Sequence, residues 1–255
     1  MGKVKRLFFD IETSPNVGLF WSTGNRIHLS PENILKERKI ICIGYQWQDK
    51  QPQSLQWTAK QDDAPMLRRF APILEQADEV VAHNGNGFDL KWVRTRCSVH
   101  GISLAPHIPS YDTLLKMRER FRLNSNTLAY AAQYFGLPYK TKTDFQLWKD
   151  VIAGNKVALQ AMVAYCKQDV TVLVALYQKL QEYTLPNVHH GVIAGQAKHS
   201  CPQCSRTVVS YLRSYSTAAG SVKHKMKCTG CSQQFYINNK GLRDWRSWLE
   251  EKAAA

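Results

Sequence analysis

The pattern of apolar and polar positions predicts a strand that is buried on both faces. Residues 5–13 read Lys-Arg-Leu-Phe-Phe-Asp-Ile-Glu-Thr, and their apolar side chains leave no continuous polar face. Such a run is typical of a central strand, with a half-solvated edge strand as the alternative. Asp10 and Glu12 stand two residues apart, so their side chains share a face and lie roughly 6–7 Å apart along the backbone. Two buried carboxylates repel each other, and a bound divalent cation would offset that cost.

The rest of the first 183 residues switches between strand and helix periods. Strands are predicted at 40–48, 54–58, 79–83 and 108–112, and helices at 65–77, 89–100, 113–120, 127–135 and 156–183. The two strands after residue 39 suggest a hairpin, and the later elements alternate strand with helix, which predicts an α/β domain. Residues 14–39 are expected to be irregular. Their aromatic and cationic side chains could stack on bases (Phe20, Trp21, Arg26 and His28), with the alternative that Phe20 and Trp21 cap the core.

The seven cysteines separate the chain into two regions. Three stand alone in apolar segments and are expected in the core (Cys42, Cys97 and Cys166). Four form two Cys-x-x-Cys pairs with zinc-ribbon spacing (Cys201 and Cys204, then Cys228 and Cys231). The sequence therefore predicts a first domain over 1–183, a linker over 184–200 and a small β domain over 201–251 that holds one structural zinc ion.

Positive charge is concentrated towards the carboxyl terminus. The chain has a formal net charge of +14, and residues 184–255 carry ten of its 34 Lys and Arg residues but three of its 20 Asp and Glu residues. This balance favours a polyanion such as nucleic acid, with charge for solubility alone as the alternative. In the second region basic side chains are interleaved with aromatic ones (Arg206, Arg213, Lys223, Lys225, Lys227, Lys240, Arg243, Arg246, Tyr211, Tyr215, Phe235 and Tyr236). They favour nucleic-acid binding, with docking to a replication or repair protein as the alternative.

Three motifs follow one another on the predicted elements. They are Phe9-Asp10-Ile11-Glu12-Thr13, then His83-Asn84-(x3)-Phe88-Asp89, then Tyr165-(x3)-Asp169. Taken singly, Asp89 could be a helix cap and Tyr165 with Asp169 an ordinary surface pair. Together, over roughly residues 4–183, they resemble the DEDD exonuclease superfamily in its tyrosine branch. The chain is similar to proofreading domains of family B DNA polymerases and to bacterial ribonuclease H-like exonucleases of the YprB type.

The branch is indicated by one position, because the histidine branch would have a histidine where this chain has Ala164. The resemblance implies a ribonuclease H-like fold, in which helices flank a mixed five-stranded sheet with one antiparallel strand. It implies that four carboxylates hold two magnesium or manganese ions (Asp10, Glu12, Asp89 and Asp169). It further implies that Tyr165 orients the attacking water. Three residues beside the motif acids are expected to contact the terminal nucleotide (Thr13, Asn84 and Phe88).

The resulting functional hypothesis is a metal-dependent 3′–5′ exonuclease on single-stranded DNA that releases nucleoside 5′-monophosphates and serves DNA replication or repair. A 3′–5′ exoribonuclease is the alternative of the same chemistry. A non-catalytic nucleic-acid-binding or partner-recruiting module with a vestigial nuclease site is the alternative of another class. The amino terminus shows no signal-peptide pattern, and no stretch approaches the roughly 20 apolar residues of a membrane span. We expect a monomer in a reducing bacterial or viral-host cytoplasm, without a membrane partner.

Overall fold

The computed structural model describes residues 4–22, 24, 29–138 and 143–254. The chain forms two compact units, a large unit over Lys5–Lys179 and a small unit that begins at Leu180. The predictions for Arg26 and His28 lie outside the described residues.

A five-stranded sheet forms the centre of the large unit. Its strands are β1 (Arg6–Thr13), β4 (Ile40–Trp47), β5 (Gln53–Gln56), β6 (Glu79–Ala82) and β7 (Ser110–Asp112), whereas β2 (Val17–Gly18) and β3 (Ile34–Lys36) make a separate pair. The order β5-β4-β1-β6-β7 makes β1 the central strand. β4 runs antiparallel to both of its neighbours, while β1, β6 and β7 are mutually parallel. The predicted mixed five-stranded sheet with one antiparallel strand is therefore confirmed, and the edge-strand alternative for β1 is wrong.

Six helices accompany this sheet in the described part of the large unit. They are α1 (Ala64–Glu75), α2 (Asp89–Val99), α3 (Thr113–Arg120), α4 (Leu128–Tyr134), α5 (Phe145–Ile152) and α6 (Lys156–Leu180). Side-chain caps fix several starts, since Asp112, Thr127 and Asp144 each accept a hydrogen bond from a backbone N–H in the first turn. Neither α5 nor the β2–β3 pair was among the predicted elements.

Alternation along β1 divides the core between the two faces of the sheet. Leu7 and Phe9 join the cluster that contains Phe70 of α1 and Val93 of α2. On the opposite face, Phe8 packs with α6, and its ring lies 5.3 Å from that of Tyr177. Asp10 and Glu12 have the parity of Phe8, so they point to the face that α6 covers.

Buried ion pairs brace the large unit on both faces of the sheet, and Arg6 lies on the α6 side, 4.8 Å from the ring of Tyr177. The Arg6 side chain donates to Glu79 on the neighbouring strand at 2.9 Å. Asp63, at the start of α1, accepts two 2.8 Å hydrogen bonds from Arg96 and one 3.0 Å bond from the backbone N–H of Ile40. Burial alone would raise the pKa of Asp63, but these bonds and one from His100 outweigh it, so the pKa lies below its ordinary value.

Among the described residues, α6 is the one helix long and apolar enough to cross a membrane by length and composition, with a mean hydropathy of 1.2. The sequence pattern predicted a helix over 156–183 but no stretch that could span a membrane. A single helix of this kind is weak evidence, because a helix in a folded core passes the same test. Val170, Leu173 and Tyr177 of α6 pack on the sheet, which accounts for its apolar composition.

The small unit combines a three-stranded antiparallel sheet with two helices. Its elements are α7 (His190–Ile193), β8 (Val209–Ser216), β9 (Val222–Cys228), β10 (Gln234–Ile237) and α8 (Asn239–Ala254), with the strands in the order β10-β9-β8. In its core, one face of the sheet packs against Leu242 and Trp245 of α8. The segment 184–200, expected to be a linker, contains α7 and the buried side chains of His190, His199 and Ser200. The pattern did not predict α8.

Candidate active site

Three of the four motif carboxylates form one cluster. A ligand oxygen from each of Asp10, Glu12 and Asp169 lies within 4.8 Å of the other two. β1 supplies the first two from one face, and α6 supplies Asp169, which is 5% exposed. Three anionic oxygen donors this close together repel each other, and hard divalent cations such as magnesium or manganese take such ligands. The donor set therefore fits a divalent metal.

The fourth motif acid, Asp89, lies outside that cluster but is bound to the same strand. It is buried at the start of α2, and its Oδ1 accepts a 3.1 Å hydrogen bond from the backbone N–H of Ile11, between Asp10 and Glu12. Burial raises the pKa of Asp89 to about 7, with nearby Asp112 adding to the effect and backbone hydrogen bonds opposing it. A neighbouring cation would reverse this preference for the protonated form.

The turn that carries Asp89 is held by a carboxylate that the motif analysis missed. Asp112, at the end of β7, accepts hydrogen bonds from the backbone N–H groups of Asn84 (3.1 Å) and Asn86 (3.0 Å) and also caps α3. Asn84 has a positive φ of 64°, and its carbonyl accepts from the N–H of Phe88 at 2.8 Å. The sequence did contain a signal for this role, because Asp112 stands where a predicted strand ends and a predicted helix begins. Asn84 and Phe88, both predicted substrate contacts, thus share one braced turn.

Tyr165 is tied to the end of β1 through a tryptophan. Its ring packs edge-on against Trp148 of α5, with centroids 6.4 Å apart. The Trp148 Nε1–H donates a 3.2 Å hydrogen bond to the backbone carbonyl of Thr13, another predicted substrate contact. Tyr165 also lies one helical turn before Asp169 on α6, so both share a face. Trp148 was not a predicted site residue, since α5 itself was missed.

A glycine lets α6 approach the sheet beside the acids. Gly44 of β4 lies opposite Asp10, and a Cβ there would stand 2.9 Å from the carbonyl oxygen of Cys166 in α6. The Gly44 N–H donates to the Cys166 sulfur at 3.1 Å, and that thiol lies 3.4 Å from the Asp10 carbonyl oxygen. Any side chain at this position would push α6, and Asp169 with it, away from β1.

His83 has both ring nitrogens engaged. Nδ1 lies 2.9 Å from the hydroxyl of Thr113, and Nε2 lies 2.9 Å from the carbonyl oxygen of Asn126. A carbonyl only accepts, so Nε2 carries the proton. Burial is the main cause that lowers the pKa of His83. Both ring nitrogens of His83 therefore have protein partners, which hold the ring between Thr113 and Asn126.

Another group of candidate ligands is an ion-pair network. Asp62, Asp63 and His100 also bring ligand atoms within 4.8 Å of one another. Both oxygens of Asp63 already accept hydrogen bonds from Arg96, and His100 bonds to it at 2.7 Å. Asp63 therefore has protein partners, and its role is to stabilise the fold.

The four paired cysteines of the small unit converge. Their sulfurs all lie within 4.8 Å of one another, with 3.6 Å between Cys201 and Cys231 and 3.5 Å between Cys204 and Cys228. A tetrahedral zinc site with bonds near 2.3 Å has sulfur–sulfur edges of about 3.8 Å. Backbone N–H groups of Gln203 and Gly230 donate to Cys201 and Cys228 at 3.4 and 3.3 Å. The donor set fits a closed metal site of the structural type.

The comparisons with known proteins bear on the large unit. A family model described as RNase_H superfamily (RNase_H_2) matches residues 32–181, more than half of the chain. That range contains Asp89, Tyr165 and Asp169 but begins after Asp10 and Glu12. A search of the curated proteins found no match.

Among solved structures, a family B DNA polymerase from the hyperthermophilic archaeon Pyrobaculum calidifontis has a similar fold, with a TM-score of 0.52 and 17% sequence identity. The alignment covers 74% of this chain and 26% of the polymerase, so the likeness concerns the fold of about a quarter of that protein. The order of the five strands and the family match both indicate a ribonuclease H-like fold. This chain belongs to the RNase_H superfamily.

Proposed function

We propose that this chain is a metal-dependent 3′–5′ exonuclease that acts on single-stranded DNA and releases nucleoside 5′-monophosphates. The observation that carries the proposal is the convergence of Asp10, Glu12 and Asp169 from a central strand and a late helix. Membership of the RNase_H superfamily supports nuclease activity in general, and a DNA polymerase shares the fold. The polarity and the single-stranded substrate come from the resemblance of the three motifs to the tyrosine branch.

In this proposal the acids and Tyr165 divide the work. Asp10, Glu12, Asp89 and Asp169 would hold two magnesium or manganese ions, which when bound acidify a water and neutralise charge on the reacting phosphate. Tyr165, fixed against Trp148, orients the attacking water through its hydroxyl. Because a phenol is a weak base at neutral pH, we assign it orientation, not proton removal.

The terminal nucleotide would contact the residues that flank the acids. Thr13 follows Glu12 at the end of β1, and Asn84 and Phe88 lie on the turn that leads to Asp89. The half-buried ring of Phe88 offers an apolar face for the terminal base or sugar. These three positions are expected to affect substrate affinity more than metal binding.

For the small unit we propose a structural zinc ion on Cys201, Cys204, Cys228 and Cys231. Four thiolates complete a tetrahedral site and leave no open position, so chemistry at this metal is not expected. The unit would help to hold the nucleic-acid substrate, and its net positive charge supports that role. Recruitment of a replication or repair protein is the competing outcome.

The test is a time course on matched DNA and RNA single strands labelled at the 5′ end, with magnesium, with manganese and with chelator. The proposal expects a metal-dependent ladder that shortens from the 3′ end of DNA. Asp10→Asn should lower the rate by at least about a thousandfold, since it replaces an anionic metal ligand with a neutral amide. Glu119→Gln, which removes an exposed carboxylate on α3, should leave the rate unchanged.

Three outcomes would redirect the proposal. Faster shortening of RNA would make the protein an exoribonuclease. Cleavage that persists in Asp10→Asn would end the assignment of the acid cluster. Binding without cleavage in any metal would favour the recruiting module with a vestigial site.

A further inference from the structure

The three-stranded sheet of the small unit has one covered face and one outward face. Cross-strand neighbours share a face, and the rows Tyr211–Met226–Phe235 and Ser214–His224–Ile237 lie on the face that forms the core with Leu242 of α8. The β8 members of these rows are at its margin, since Tyr211 is 39% exposed and Ser214 is exposed. Met226 and Phe235 are almost completely buried. Phe235, which the sequence pattern grouped with nucleic-acid-binding aromatics, is therefore a core residue.

The alternate rows form the outward face. They are Ser210–Lys227–Gln234, then Arg213–Lys225–Tyr236, then the pair Tyr215–Lys223. These eight side chains contain four cations and two tyrosines but no carboxylate. Each of the four cations is exposed or half-buried, and Tyr215 and Tyr236 are 39% and 49% exposed. We call this set the outward face.

Two features of the outward face work against stability. Arg213 and Lys225 are directly opposite each other, and like charges in that position destabilise a sheet. Lys223, Lys225 and Lys227 also follow one another at spacing two along β9, so all three project to the same side. A bound polyanion would turn this repulsion into attraction.

The two tyrosines give the outward face an aromatic surface. Tyr215 on β8 and Tyr236 on β10 meet across β9, with ring centroids 5.3 Å apart and planes at 76°. Exposed aromatic rings beside lysines are suited to unpaired bases, whose faces stack on them while the phosphates meet the cations. In a duplex those base faces are occupied by neighbouring bases, so duplex nucleic acid gains from the charge alone.

We propose that the outward face of the small unit binds single-stranded nucleic acid, with Tyr215 and Tyr236 stacking on bases and Arg213, Lys223, Lys225 and Lys227 contacting phosphates. The inference deepens the proposed function, since it names the residues by which the small unit holds a strand. It does not require that the strand be cleaved.

The test measures binding in the full zinc-loaded chain carrying Asp10→Asn, so that substrate survives. The probes are a fluorescent oligothymidylate and a duplex of mixed sequence, read by anisotropy at several salt concentrations. Tyr215→Leu/Tyr236→Leu keeps apolar volume but removes the rings, and should weaken single-strand binding at least about fivefold with little change for duplex. Lys223→Gln/Lys225→Gln should weaken both and reduce the single-strand salt slope by about 1.4.

The matched control is Arg243→Gln/Arg246→Gln, which removes the same charge from exposed positions of α8. It should weaken binding less than the lysine pair does. Zinc content and circular dichroism of every variant establish that the fold is retained. Equal losses in the control and lysine variants, or unchanged affinity in the tyrosine variant, would overturn the proposal.

The nuclease assay in the Asp10-containing chain separates this inference from the proposed function. If the outward-face variants lose affinity but the wild-type chain cleaves nothing, the exonuclease proposal is wrong and the binding face is supported. If the wild-type chain cleaves short oligonucleotides but the outward-face variants bind as tightly as before, the exonuclease proposal is supported and the binding face is wrong. If the wild-type chain binds neither the oligothymidylate nor the duplex, the binding face is wrong, and a protein becomes the expected partner of the small unit.

Discussion

The two units hold their candidate metal ligands by different physical means. In the large unit, Asp10 and Glu12 lie on a strand whose apolar side chains are buried, with Leu7, Phe9 and Ile11 in the cluster that contains Phe70. In the small unit, Cys201 and Cys228 are themselves members of the core. The acids are thus added to a framework stabilised by apolar burial, whereas the thiols are part of the framework. Loss of a bound metal should therefore unfold the small unit but leave the large unit folded.

The largest expected effect is that of removing the proposed zinc ion from the small unit. Structural zinc contributes apparent binding energies of about 10–16 kcal/mol in small zinc domains. Chelation, or Cys228→Ser, should therefore unfold the small unit and leave the large unit folded. Hydrogen exchange should show loss of protection in β8–β10 and retention in β1. Cys97→Ala, which removes a buried thiol from the large unit, is the control that should not unfold the small one. If β9 stays protected without metal, the small unit does not depend on metal for its fold, and the two units do not differ in this respect.

Next in size is the removal of the Asp63 carboxylate. Asp63→Ala leaves Arg96 and the Ile40 N–H buried without their partner and should cost about 3–5 kcal/mol in the large unit. Urea unfolding followed by a probe in the large unit measures it. Glu119→Ala, at an exposed surface pair, should stay within about 0.5 kcal/mol of the wild type. A loss below 1 kcal/mol would mean that the network adds little to apolar burial.

A smaller change should reach the acid cluster through packing. Gly44→Ala introduces a methyl group against the Cys166 carbonyl and should cost about 1–3 kcal/mol, because α6 must shift. If the cluster carries activity, cleavage should fall further than this stability loss explains. Gly24→Ala is the matched control, since a Cβ at Gly24 meets nothing within 4 Å. Full activity in Gly44→Ala would show that the acids tolerate displacement of α6.

The smallest effect is the acid response of His83. Burial lowers its pKa in the folded state, so below about pH 6.5 the unfolded chain binds the proton first. This contribution to stability is present above that pH and is lost as the pH falls, by at most about 1.4 kcal/mol per pH unit. Stability of the large unit between pH 7 and 5 should therefore decline less steeply in His83→Gln. An NMR titration of the wild-type imidazole that centres above pH 6.5 would contradict the sign.

The sequence predicted those parts of the molecule that local pattern controls. The continuous apolar run of β1 identified the central strand, and spacing two put Asp10 and Glu12 on one face. The helical period around Asp169 identified the helix that supplies the third carboxylate. Motif order then indicated that these elements meet, and the cluster of three acids agrees with that expectation.

The features that the sequence did not predict depend on contacts between distant segments. Gly44 matters because Cys166 lies against it, and nothing local in β4 announces a helix packed there. Trp148 bridges Thr13 and Tyr165 only because α5 folds back beside β1. In the small unit, the pattern grouped Phe235 with Tyr236, and only the strand register separates a core residue from an exposed one.

The central position of β1 makes the candidate site sensitive to insertion. The strand is paired on both sides, antiparallel to β4 and parallel to β6, so its register cannot slide without breaking two ladders. One extra residue directly ahead of Asp10 would exchange the faces of the residues that follow, turning both carboxylates towards Phe70 and Ile11 towards α6. In evolutionary terms, substitutions around the acids can be explored one at a time, whereas the length of this strand is fixed.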